Sequence, residues 1–173
     1  MGKNCRCMTQ PEVWLRGPLA EYIDELQPVA HSLLQVREEV GRVAGVPEAH
    51  LWARPGGAAS IGFHLKHLAG SLDRLFTYAA EKPLSSAQYD YLAGESRDSD
   101  ESAETLVRLA QAAIDRALTY VRTTPLCTLD EAREVGRDRL PSTVLGLLFH
   151  AAEHAQRHSA QIITTTIVVS GIG

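Results

Sequence analysis

Along most of this chain apolar residues recur every three or four positions, the spacing of an α-helix that buries one face. Leu19, Tyr22, Ile23 and Leu26 make a short periodic stretch, Pro28 interrupts it, and Val29, Leu33, Val36, Val40 and Val43 resume the spacing. Proline is tolerated in the first turn of a helix but costs about 3 kcal/mol deeper inside. The pattern therefore predicts a short leading helix and a longer one starting near Pro28. The segment "GVPEAHLWARPGG", 45–57, predicts a loop. Ser60 is a cap candidate for a second helix that carries Ile61, Leu65, Leu68, Leu72, Leu75, Phe76 and Ala79 on one stripe. A connection rich in Ser, Tyr and Asp follows. Ser99 and Asp100 are then N-cap candidates for a third helix from Glu101 to Val121, with Leu106, Leu109, Ala113, Ile114, Leu118 and Val121 facing inward. The segment "TTPLCTLDEAREVGRDRL" is polar and broken, and Pro141 opens the last helix. The end of that helix is open, because the β-branched, Gly-ended "TTTIVVSGIG" suits helix, strand or tail. Four long amphipathic segments with few credible strands predict an all-α four-helix bundle. The chain reads as one domain over 1–173, with 1–12 frayed and a tail from about 168.

Composition narrows the function classes. The 173 residues are 45% hydrophobic, enough for a core without staples. A net charge of -4 gives no broad positive field, so nucleic acid is not an expected partner. No apolar run approaches the roughly 20 residues that span a bilayer, and "MGKNCRCMTQPEVWL" lacks the apolar stretch of a secretory signal. The expected setting is the cytoplasm, with no membrane partner. Cys5, Cys7 and Cys127 are odd in number and too few for a disulfide framework. Cys127 would be a nucleophile only if the fold placed it beside a base.

The chemistry is concentrated in histidine. Of seven histidines, His150, His154 and His158 stand at four-residue intervals in "LLFHAAEHAQRH", while His64 and His67 share "HLKHLAGS". At about 100° per residue, His158 points most directly at the apolar face of its helix, His154 sits at the edge and His150 leans toward Glu153 and Arg157. Side chains four apart stand about 5–6 Å apart at Cβ, close enough for two imidazoles to converge on one ion. Glu153 is not where a zincin base would stand. His154 and His158 supply only two ligands, so a third must come from elsewhere in the fold. The wheel of the second helix favours His64, which lies nearer the apolar stripe than His67; spacing alone leaves the choice open.

"SIGFHLKHLAGS", 60–71, resembles the HLA-x-S element of the DinB/YfiT-like family of metal-dependent enzymes. "VGRDRLPSTVLGLLFHAAEHAQRHSAQI", 135–162, is similar to that family's last-helix motif, H-x-x-x-H-x-x-x-H-x-[GA]-Q-[IL], with Ala160 where Gly is common. The resemblance implies an up-down-down-up four-helix bundle, usually dimeric, with a three-histidine metal site between the second and last helices; nitrogen ligands suit several divalent transition metals, of which zinc or nickel is expected. Carried over by position, the ligands it implies are His67, His154 and His158, with His64 and His150 as second choices. Some relatives are transferases or isomerases that use low-molecular-weight thiols and others have no established activity, so the resemblance points to a thiol-dependent S-transferase; a metal-dependent hydrolase and a non-catalytic dimeric metal-binding bundle are the alternatives. Gln161 shares the histidine face, and Tyr89 and Tyr91 are candidates for a pocket mouth. Trp14, Trp52, Phe63 and Phe149 lie outside the inward sets and are candidates for the surface of a homodimer.

Overall fold

The structure is a computed structural model that describes residues 10–171. Cys5 and Cys7 lie outside the described residues. Four long helices carry the architecture: α1 (Gln27–Gly41), α3 (Ile61–Ala79), α5 (Ala103–Thr123) and α6 (Val144–Ser170). Each of α1 and α3 packs against both α5 and α6, so the four enclose one core. The predicted stripes point into it. Leu33, Leu65, Leu68, Leu106, Ile114 and Leu148 are fully buried, each contributing about 1.5–3 kcal/mol of transfer free energy. The described chain is thus mainly helical, as the periodicity requires.

The connections differ from expectation where tertiary contacts outweigh local pattern. The predicted leading helix shrinks to a 3₁₀ turn at Asp24–Leu26 that runs into α1, and Val13–Arg16 forms another. The expected loop at 45–57 contains α2 (Glu48–Leu51), followed by Trp52, whose ring lies against Gly62; a Cβ there would stand 2.4 Å from the ring. Trp52 therefore belongs to the core margin, not to an outer surface. The connection after α3 contains α4 (Ser86–Gly94), started by a capping box in which Ser85 and Gln88 satisfy each other's backbone N–H groups. The cap of α5 is Ser102, accepting from Thr105 N–H, rather than Ser99 or Asp100. Pro141 does not open α6. It sits in the hairpin of β1 (Ala132–Val135) and β2 (Leu140–Thr143), opposite Glu134, and Thr143 caps α6 instead. A two-stranded sheet is all edge, so a residue without an N–H is tolerated there. At its far end α6 stays helical through Ser170, closing on Gly171 with φ 62°.

Candidate metal centre

The Ser60 hydroxyl, wholly buried, accepts the Phe63 N–H at 3.2 Å and starts α3 in a register that turns His64 and His67 toward α6. On α6, the buried Ser159 hydroxyl donates to Glu39 of α1 at 2.6 Å, which fixes the rotation of the helix beside His158. His64 meets His158 and His67 meets His154, so α3 and α6 run antiparallel past each other at this level.

The result is a cluster in which His67, His154 and His158 each offer a ring nitrogen within 4.8 Å of the others. His67 Nε2 and His154 Nε2 are 3.1 Å apart. Nitrogens bound at about 2.0–2.1 Å to one tetrahedral ion stand about 3.3 Å apart, close to that separation. His154 Nδ1 is buried with no partner, and no fourth His, Cys, Asp or Glu of the described residues joins the cluster. The donor set fits a divalent metal ion. Burial pushes His154 down to about 4 and His158 to about 3 from the ordinary 6.5, with the neighbouring histidines adding to the effect. Both rings are therefore neutral near pH 7, the form that binds metals.

The other two histidines of these segments are placed differently. His150 is exposed and pairs with Glu153 at 2.7 Å, away from the cluster. His64 is buried, as its stripe position predicts, and burial holds it down at about 4. Its Nδ1 stands 2.9 Å from His158 Nδ1, so one ring donates and the other accepts, and His64 supports the cluster from outside it. Closeness to the apolar stripe selected the buried histidine; both rings meet α6, and membership of the cluster goes to His67, which faces His154 and His158 together.

A family model described as the DinB superfamily matches residues 38–162, a span holding all five of these histidines. The chain belongs to the DinB superfamily. No curated protein matches it.

Beside the DinB-superfamily histidines stand Glu95 and Arg74, which sequence reasoning passed over, and Phe63, which it placed elsewhere. Phe63 is half-buried; its ring stacks on His67 at 5.4 Å between centroids and meets His64 edge-on. Glu95, just past α4, is 3% exposed and accepts from His67 Nδ1 at 2.8 Å and from Arg74 at 2.5 Å. Nothing in "LAGESRDSD" marks that glutamate among its polar neighbours, because only folding brings it to α3. Gln161 is exposed, Cys127 is exposed, and Tyr89 is 42% exposed on α4. Tyr91 lines a cavity of about 420 Å³ with Ala69, Arg74, Gln88 and Arg116 that includes none of the three clustered histidines. Among the described residues no helix of this DinB-superfamily chain is long and apolar enough to cross a membrane.

Proposed function

We infer that this chain is a divalent-metal-dependent enzyme in which His67, His154 and His158 hold the ion, and that it transfers a low-molecular-weight thiol. The observation that carries this reading is the convergence of three imidazole nitrogens within 4.8 Å with no fourth His, Cys, Asp or Glu among the described residues joining them. Three protein ligands leave a coordination position for water or substrate, the arrangement of catalytic rather than closed structural zinc sites. When bound, such an ion favours the thiolate over the thiol and polarises a carbonyl. The protein supplies His154 and His158 as neutral rings, holds His158 through His64, and places Phe63 as an apolar wall over one face of His67. The His67 side chain is 22% exposed, which gives the cluster an approach from solvent.

The reading includes zinc or nickel as the resident ion, a single domain with helices running up-down-down-up, a homodimer, and a cytoplasmic setting without nucleic-acid or membrane partners. Its test is elemental analysis of protein purified without a histidine tag, followed by a conjugation screen that pairs low-molecular-weight thiols with electrophiles. Stoichiometric metal and thiol consumption that disappears in His154→Ala is the expected result. Metal-dependent ester cleavage without thiol conjugation would replace the transferase with a hydrolase. Stoichiometric metal without turnover would leave a binding bundle.

A further inference from the structure

We propose that Glu95 is a positioning residue for the metal centre: its carboxylate holds the proton of His67 on Nδ1 and so presents Nε2 of that ring to the ion. The proposal rests on the reading of His67 as a ligand. Glu95 lies 28 residues from His67 along the chain, yet Oε2 is 2.8 Å from His67 Nδ1. An ionised carboxylate only accepts, so a neutral His67 must place its proton on Nδ1. The lone pair then falls on Nε2, the atom 3.1 Å from His154 Nε2. Partners of this kind fix the tautomer and ring orientation of a metal-binding imidazole and raise its basicity.

The carboxylate is prepared for that task from three directions. A buried charge needs a partner, and Arg74, two turns after His67 on α3, provides it at 2.5 Å to Oε1 and 3.4 Å to Oε2. Between the two on the same helix stands Gly70. A Cβ at that position would lie 2.1 Å from Glu95 Oε1, 2.6 Å from the Tyr91 ring and 2.8 Å from Arg74 Nη1, so the missing side chain is what lets the carboxylate lie against α3. The backbone around Glu95 is tied to the same helix. Lys66 Nζ donates to the carbonyls of Gly94 and Arg97 at 3.0 and 2.9 Å, and the Tyr91 hydroxyl donates to the Lys66 carbonyl at 3.1 Å. Four α3 residues within nine positions, Lys66, His67, Gly70 and Arg74, thus meet one short segment. The outcome of the arrangement is one oriented imidazole.

Two measurements on the 173-residue chain test this. Nitrogen-15 NMR of the metal-free protein reads the tautomer of His67 directly; Nδ1–H is expected, and Nε2–H overturns the proposal without any variant having to fold. Titration with Co²⁺ alone, monitored by its visible absorption and by competition with a chelator, gives the affinity of wild type, Glu95→Gln and Gly70→Ala. Glutamine can offer its NH₂ to Nδ1 and drive the proton to Nε2, while alanine at 70 pushes the carboxylate away with its charge intact. Both should weaken Co²⁺ binding by about 10- to 100-fold and alter the cobalt spectrum while far-UV circular dichroism stays that of wild type. A wild type that binds no Co²⁺ would reject the metal centre itself. Tight wild-type binding with equal affinity in folded Glu95→Gln would reject the role of Glu95 alone.

Discussion

Removing one imidazole at a time separates ligands from bystanders. Structural zinc sites with four ligands are worth about 10–16 kcal/mol at pH 7, which is about 3 kcal/mol per ligand and roughly a hundredfold in Kd. His154→Ala removes the nitrogen 3.1 Å from His67 Nε2 and leaves two donors in a cluster of three. Its zinc affinity should fall by about a hundredfold or more. His158→Ala should fall as far, and because that ring is only 8% exposed it also opens a cavity that lowers stability. His150→Ala is the control. Its side chain is 49% exposed and turned to Glu153, so zinc affinity should stay within about threefold of wild type, the scale of a lost surface interaction. Competition against a chromophoric chelator, on tag-free protein with circular dichroism to check folding, measures all three. Equal affinities across the three variants would refute the assignment, and a large loss in His150→Ala alone would place the ion elsewhere on α6.

The apo protein should remain helical after chelation, because its core forms without the ion; loss of the far-UV helical signal on adding chelator would show a structural metal instead. Its stability should depend on pH in one direction. His64 and His154 are held at about 4 and His158 at about 3 against an ordinary 6.5, so the unfolded chain binds more protons between these values. Stability is complete above about pH 6.5 and declines as pH falls toward 4 and below, and denaturation curves that are flat across that window would contradict the burial of these rings. Gly62→Ala gains about 1 kcal/mol of helix propensity but sets a Cβ 2.4–2.7 Å from three atoms of the Trp52 ring. Overpacking of about 1–3 kcal/mol should prevail, lowering the thermal midpoint; a raised midpoint would mean that Trp52 moves aside freely. For assembly, Phe149 at 62% and Trp14 at 61% exposure are the outward members of the four candidate aromatics, Phe63 and Trp52 being half-buried. Phe149→Glu should convert a dimer to monomer in sedimentation at micromolar concentration, and a dimer indifferent to it would put the interface on another face.

Helix faces were legible in the sequence because they depend on contacts within one or two turns. Val29, Leu33, Val36 and Val40 repeat with the helical period and are all buried, and His154 and His158 share a face by spacing alone. The hairpin was not legible, since strands of four residues carry too little pattern to stand out. It forms where Val144 N–H and Leu145 N–H bond back to the carbonyls of Glu131 and Leu129, contacts that exist only once α6 is in place. The short α4 likewise has no buried residue to show in a periodicity.

The choice between His64 and His67 marks the boundary. Both were visible as candidates, and the burial of His64 followed from its stripe position. Which ring joins His154 and His158 depends on how α3 is rotated and translated against α6, and those settings come from the packing of the whole core, Leu65, Leu68, Leu148 and Ile162 included. No local rule contains them. Glu95 lies wholly on the far side of that boundary. Its residue type and polar surroundings suit a solvent-facing loop, and only the fold carries it to His67, Gly70 and Arg74. The sequence by itself determined which faces are apolar and which histidines share a helix, through interactions a few residues long. Tertiary structure decided which of them meet and what holds them, because helix rotation and buried polar contacts are set by side chains far apart in the chain.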